Sequence, residues 1–162
     1  RYEASVFLDR LVKDHGLSVG PTTFGNTRAN GIQLDALVAL KELGLSEAQL
    51  AYIKQYFFGA GPQILALCQQ KPDLLEPVPG EGNCIRGLIR YAIEFESVLT
   101  LEDLLVRRMP FGNAQCPDNE TIRYCAQVLS QHLGQSLTDE DFVLEQAKLQ
   151  SFYLKTKLSL RE

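Results

Sequence analysis

Ile85 to Arg108 reads IRGLIRYAIEFESVLTLEDLLVRR, and this stretch decides the fold. Apolar side chains fall at Ile85, Leu88, Ile89, Ala92 and Ile93, the i, i+3, i+4, i+7, i+8 spacing that gathers them on one face of a helix. The next position on that face is Glu96. Thr100 stands three residues before Asp103, a capping-box spacing in which the hydroxyl accepts from an orphan amide and the carboxylate reaches back. A second helix is therefore expected from Leu101, with Leu101, Leu104 and Leu105 facing inward and Arg108 next in line. An acid and a guanidinium thus each occupy a place where periodicity asks for an apolar residue. They are expected to pair in the interior across the corner, because losing one partner of a buried pair costs roughly 3 to 5 kcal/mol. The plainer alternative sends both side chains out to water from the helix ends. Asp103 and Arg107 are four apart, an ordinary surface contact worth about 0.2 to 0.5 kcal/mol.

Toward the N-terminus, Tyr2 to His15 reads as a helix through Phe7, Leu8, Leu11 and Val12 that ends at Gly16. Leu17 to Gly31 collects Gly, Pro, Thr and Asn without a usable period and is long for a loop inside a compact domain. It reads either as a surface loop or as a docking segment held by something else. Gln33 to Leu43 is a short helix stopped by Gly44. Ser46 with Gln49 forms a second capping box and opens a helix carrying Leu50, Ile53, Tyr56 and Phe57 as far as Gly59. Tyr52, Tyr56, Phe57 and Phe58 read as core at this spacing. Pro62 suits the first turn of a third helix with Ile64, Leu65, Leu67 and Cys68. Pro72, Pro77 and Pro79, with Gly80 and Gly82, forbid helix until Asn83, which is placed to cap the central one.

Toward the C-terminus, Met109 to Pro117 reads as a connector. Asp118 caps a helix through Ile122, Cys125, Ala126, Leu129 and Leu133 that Gly134 ends. Thr138 with Asp141 makes one more capping box, and the last helix runs past Phe142, Val143, Ala147, Leu149, Phe152 and Tyr153 to about Leu158. No segment alternates with period two over a useful length. The chain is expected to be all-α, an irregular bundle of about seven or eight helices in a single domain over residues 1–162. That length buries about two thirds of the unfolded surface.

Charged residues make up 22% of the chain with a formal net charge of -4, so no general basic field exists for nucleic acid or anionic lipid. No run approaches the roughly 18 to 20 apolar residues that span a bilayer, and the start lacks a signal-peptide pattern. Direct membrane insertion is not expected. Cys68, Cys84, Cys116 and Cys125 contain no CxxC pair, the tight spacing zinc sites favour. Cys68 and Cys125 fall on helical stripes and read as small buried apolar residues, which suits a reducing, cytoplasmic setting.

Proton carriers are few. His15 and His132 lie near helix C-termini, where an imidazolium suits the dipole. Asp139, Glu140 and Asp141 fall in a first helical turn and lack the alternating ligands of an EF-hand. Flavin binding in the usual way needs a strand, a GxGxxG turn and a helix, whereas Gly80-Glu81-Gly82 follows no expected strand. No catalytic, cofactor-binding or metal-binding residue is therefore expected in this chain. The residues singled out are structural: Glu96 with Arg108, and the caps Ser46, Asn83, Thr100, Asp118 and Thr138.

Tyr91-Ala92-Ile93, Glu96, Thr100-Leu101, Asp103-Leu104-Leu105 and Arg107-Arg108 resemble the signature of the C-terminal helical domain of FAD-dependent glycerol-3-phosphate dehydrogenases and alpha-glycerophosphate oxidases. Leu43-Gly44-Leu45, Tyr56, Phe58-Gly59 and Leu74-Leu75-Glu76-Pro77 sit where that domain has comparable residues, so the resemblance runs over most of the chain. Glu94 departs from it, standing where a basic residue is usual, as does Ser97 in place of a common Met. The resemblance implies a piece of a longer polypeptide, which also fits Arg1 in place of a starting Met. Its parent would oxidise sn-glycerol 3-phosphate to dihydroxyacetone phosphate, with electrons passed through FAD to a quinone or oxygen. FAD and substrate would lie in an N-terminal FAD-binding domain of the same polypeptide, absent from this chain, with Arg107 as the candidate interdomain contact. The parent is then expected to be cytoplasmic or peripheral on the cytoplasmic face of the inner membrane, and a homodimer is left open. Without the resemblance, the same residues suit a free-standing helical interaction module that binds a peptide in a groove.

Overall fold

The computed structural model describes residues 10, 12–14, 16, 34–57 and 59–159. Most of the expected Tyr2–His15 helix, the Leu17 to Gly31 segment and Phe58 lie outside the described residues, although Val12 to Asp14 are helical. From Leu34 onward the order is α1 (Leu34–Glu42), α2 (Glu47–Tyr56), α3 (Gly61–Gln70), a 3-10 turn (Pro72–Leu75), β1 (Pro77–Val78) and β2 (Glu81–Ile85). Then come α4 (Arg86–Phe95), a π-helix (Asp103–Arg108), α5 (Pro110–Ala114), α6 (Asn119–His132) and α7 (Asp139–Ser159). The domain is mostly helical, as its periodicities require, with one short hairpin that they do not reveal.

The organising element is α4. Its apolar stripe is buried, with Leu88, Ile89 and Ala92 at 0% exposure, and it packs on α3, α6, the 3-10 turn and the π-helix. Each fully buried Leu or Ile contributes roughly 1.5 to 3 kcal/mol relative to exposure, an upper figure because the unfolded chain already hides some of that surface. α3 crosses α4 closely at Gly87, where a Cβ would stand 2.9 Å from Cys68 Sγ and 3.3 Å from the Leu74 carbonyl oxygen.

Helix starts follow local chemistry. Ser46 and Gln49 make the reciprocal box at α2, with the Gln49 amide donating to the Ser46 hydroxyl at 3.3 Å and the Ser46 amide to Gln49 Oε1 at 2.9 Å. At α7 the Asp141 amide donates to Thr138 Oγ1 and the Thr138 amide to Asp141 Oδ2, both at 3.1 Å. Pro62 occupies the first turn of α3.

Asn83 does not cap α4. It lies exposed in β2, and the residue preceding α4 is Ile85, which has no capping side chain. The cause is Pro79-Gly80, since proline at the first central position and a left-handed glycine at the second make a type II turn, and Gly80 has φ 80°. The chain folds back so that Pro77 pairs with Ile85 and Val78 with Glu81, with a register shift between Pro77 and Val78. The first amide of α4 is taken by the Glu76 carbonyl at 2.8 Å, and the Arg86 guanidinium closes on the Glu76 carboxylate at 2.6 Å. Pro72 likewise opens a 3-10 turn, and the Met109 to Pro117 connector contains α5.

The hairpin tip is seated on the start of α6. Thr121, at 0% exposure, donates its hydroxyl to the Pro79 carbonyl at 2.7 Å. Asp118 caps that helix by accepting from the Thr121 amide at 2.8 Å. A Cβ on Gly80 would overlap Thr121 Oγ1 and stand 2.5 Å from Asp118 Oδ2, so only glycine fits beneath this seat.

Candidate functional site

The other end of α4 is irregular. The helix stops at Phe95, and Ser97 takes φ 55°, a left-handed conformation uncommon outside glycine. Thr100 restarts the chain as a helix, its hydroxyl accepting from the Asp103 amide at 3.0 Å and its carbonyl from the Leu104 amide at 3.0 Å. The helix then widens, and the Met109 amide reaches the Leu104 carbonyl at 3.0 Å, a step of five residues that defines π geometry.

This widening corrects the expectation of a buried ion pair. In an α-helix the residue stacked over Leu104 is Arg108, whereas the five-residue step brings Met109 over it. Met109 is accordingly 0% exposed with Leu104 and Leu105, and Arg108 is turned outward. Its Nη1 lies 3.8 Å from Glu96 Oε2, with the two side chains 41% and 27% exposed. Glu96 and Arg108 face each other at the surface, where a pair contributes about 0 to 1 kcal/mol and falls with salt. Arg107, 68% exposed, has Asp103 at 3.7 Å and Glu102 at 3.8 Å.

α5 folds back under the π-helix. A Cβ on Gly112 would overlap the Leu105 carbonyl oxygen and stand 2.6 Å from its carbon, so this backbone approach admits no side chain. The Tyr153 hydroxyl of α7 donates to the Gly112 carbonyl, tying α5 to α7. Burial pushes the Tyr153 phenol up to about 12.

Beside the same corner runs a row of rings on α2 and α4. Phe57 meets Tyr91 edge-on at 6.2 Å between centroids, and Tyr91 stacks on Phe95 at 5.4 Å. Burial raises the Tyr91 phenol, and the nearby Glu96 carboxylate raises it further. The expectation that the α2 aromatics are core holds for Phe57, which is buried, and not for Tyr56, which is half exposed. Sequence reading missed Phe95 as an exposed ring and Met109 as core. The signal for Met109 is its place four beyond Leu105 and eight beyond Leu101, on the same inward spacing.

The thiols sit in apolar surroundings. Burial, then Asp73, raises Cys68 to about 11, and burial pushes Cys84 and Cys125 well upward, which keeps all three protonated and unreactive. Among the described residues, no group of three or more His, Cys, Asp or Glu side chains is placed to hold a metal. His132 is exposed in the last turn of α6. Gly80-Glu81-Gly82 does not fit a dinucleotide: the Asp118 carboxylate lies against Gly80, and Glu81 adds a second acid whose carboxyl burial and Asp118 hold above its ordinary value. A pyrophosphate would meet two carboxylates where it needs free amides. Among the described residues no helix is long and apolar enough to cross a membrane.

These features define a helical domain built around one apolar helix, with a sealed hairpin at one end and an irregular, charged corner at the other. The chain belongs to the family of the C-terminal domain of alpha-glycerophosphate oxidase, whose model matches residues 29–140. A glycerol-3-phosphate dehydrogenase of Mycobacterium leprae (strain TN) is 30% identical over a 115-residue alignment that covers 67% of this chain and 18% of that protein. The chain thus spans less than a fifth of that relative's length.

Proposed function

We propose that this chain is the non-catalytic C-terminal domain of an FAD-dependent glycerol-3-phosphate dehydrogenase. The complete polypeptide oxidises sn-glycerol 3-phosphate to dihydroxyacetone phosphate and passes the electrons through FAD to a quinone or oxygen. The observation that carries this reading is the family match over residues 29–140, joined by a relative named for that activity. Flavin and substrate are assigned to an N-terminal domain of the same polypeptide. Within this reading Arg107, held only loosely by Asp103 and Glu102, reaches toward that domain.

A second reading, a free-standing interaction module, draws on a recess of about 420 Å³ between the Leu99–Leu101 corner, Leu129 and Leu133 of the α6 end, and Leu137. The coding sequence upstream of Arg1 separates the two. A GxGxxG-bearing α/β segment is expected there, and a start codon directly before Arg1 would favour the module. Biochemically, the purified chain given FAD, glycerol 3-phosphate and a dye acceptor is expected to show no turnover and to retain no yellow chromophore. Turnover by this chain alone would sink the non-catalytic assignment.

A further inference from the structure

Tyr56 and Phe95 are 49% and 54% exposed, yet they end one continuous row of rings. Tyr56 lies 4.9 Å from Tyr52 and Tyr52 lies 6.5 Å from Phe57, which leads through Tyr91 to Phe95. A single exposed aromatic is ordinary. A row with both ends bare, beside a recess of about 470 Å³ lined by Tyr56, Arg108, Pro110 and Asn113, has the aromatic and arginine character of a protein interface.

The backbone singles out the same edge. Ser97 and the π-helix are both conformations that persist only where the surroundings hold them, and they concentrate at functional sites. Here the π-helix turns Arg108 out of the core, where it lines one recess with Tyr56. In the mycobacterial relative the matched region is 18% of the protein, so its counterpart shares a chain with a much larger region.

We propose that the face formed by Tyr56, Phe95 and Arg108 seats the oxidoreductase portion of the same polypeptide. The inference rests on the reading of this chain as one part of a larger enzyme, and adds the surface through which the parts meet. The rings supply apolar area at low entropic cost, and Arg108, loosely held by Glu96, can exchange that partner for a carboxylate on the opposing surface.

Photo-cross-linking in the complete polypeptide tests this. With p-benzoylphenylalanine replacing Phe95, irradiation is expected to link this position to a peptide upstream of Arg1. Arg108→Glu in the same protein is expected to abolish the link. The same probe at Val143, an exposed position on α7, which contributes no ring to the row, is expected to give none. A link from Phe95 to a second copy, equal upstream links from Phe95 and Val143, or no link at all overturns the proposal. Glycerol 3-phosphate oxidation measured on the same sample keeps the two readings apart. A link without oxidation supports the surface and sinks the activity, whereas oxidation without a link sinks the surface and leaves the activity standing.

Discussion

The two ends of α4 are closed in opposite ways. At its N-terminal end the hairpin is fastened by short polar contacts centred on the buried Thr121, whose hydroxyl donates to the Pro79 carbonyl at 2.7 Å and whose amide donates to the exposed Asp118 carboxylate at 2.8 Å. At its C-terminal end the side-chain charges are long and wet, with Glu96 and Arg108 at 3.8 Å, and the corner is shaped by backbone instead, through Ser97, the π-helix and the approach at Gly112. The comparison separates two sources of stability. A buried hydrogen bond is costly to break because the stranded partner cannot return to water, whereas an exposed ion pair merely exchanges one solvated state for another.

Gly112→Ala should be the largest single effect, because no rotamer can relieve an overlap between a Cβ and the Leu105 carbonyl. A loss of about 3 kcal/mol or more in urea unfolding is expected, at or beyond the upper end of overpacking costs. A loss below about 1 kcal/mol would show that α5 moves freely and that backbone contact does not shape this corner.

Thr121→Val keeps the volume and removes the hydroxyl, leaving the Pro79 carbonyl without its donor. A loss of about 2 kcal/mol is expected. Asp118→Asn should cost less, about 1 kcal/mol or under, since the amide oxygen still accepts from the Thr121 N–H. Its pH signature is the sharper readout. The Asp118 carboxyl is held below its usual 3.8, chiefly by the Thr121 amide that donates to it. Its contribution is therefore complete above pH 3.8 and fades as pH falls through the lowered folded value. Glu81 next to it works the other way, because burial and Asp118 raise its carboxyl, so protonating it favours the fold. Urea midpoints followed from pH 5 downward should show the acid-side loss diminish in Asp118→Asn.

The smallest effect is expected at the pair first suspected of locking the fold. Arg108→Met and Glu96→Gln, made alone, should each change stability by about 0.5 kcal/mol or less, with that change shrinking further in salt. A loss of about 3 kcal/mol from either would restore the interior pair and erase the contrast between the two ends.

Much of this architecture was legible in the sequence where one side chain dictates one contact. Ser46 with Gln49, Asp118, Thr138 with Asp141 and Thr100 announce helix starts because a hydroxyl or carboxylate three residues from an orphan amide has little else to do. The stripe of α4 was legible because four buried positions repeat without interruption. The hairpin was not, since β1 has two residues and two residues hold no period. The π-helix was hidden for a different reason: Met109 lies inward under either spacing, four beyond Leu105 and five beyond Leu104, so the two differ only at Arg108, where the pattern ends. The candidate face was missed because Phe95 and Tyr56 lie at helical positions that look like core until the elements around them are placed.

Met109 is the single methionine of this chain, and it lies at 0% exposure beneath the widened turn. A thioether shielded in this way is attacked by peroxide only when the turn opens, so sulfoxide formation at one atom becomes a clock for the breathing of that corner. Mild peroxide followed by mass measurement should find Met109 intact in the native protein and oxidised promptly in Gly112→Ala.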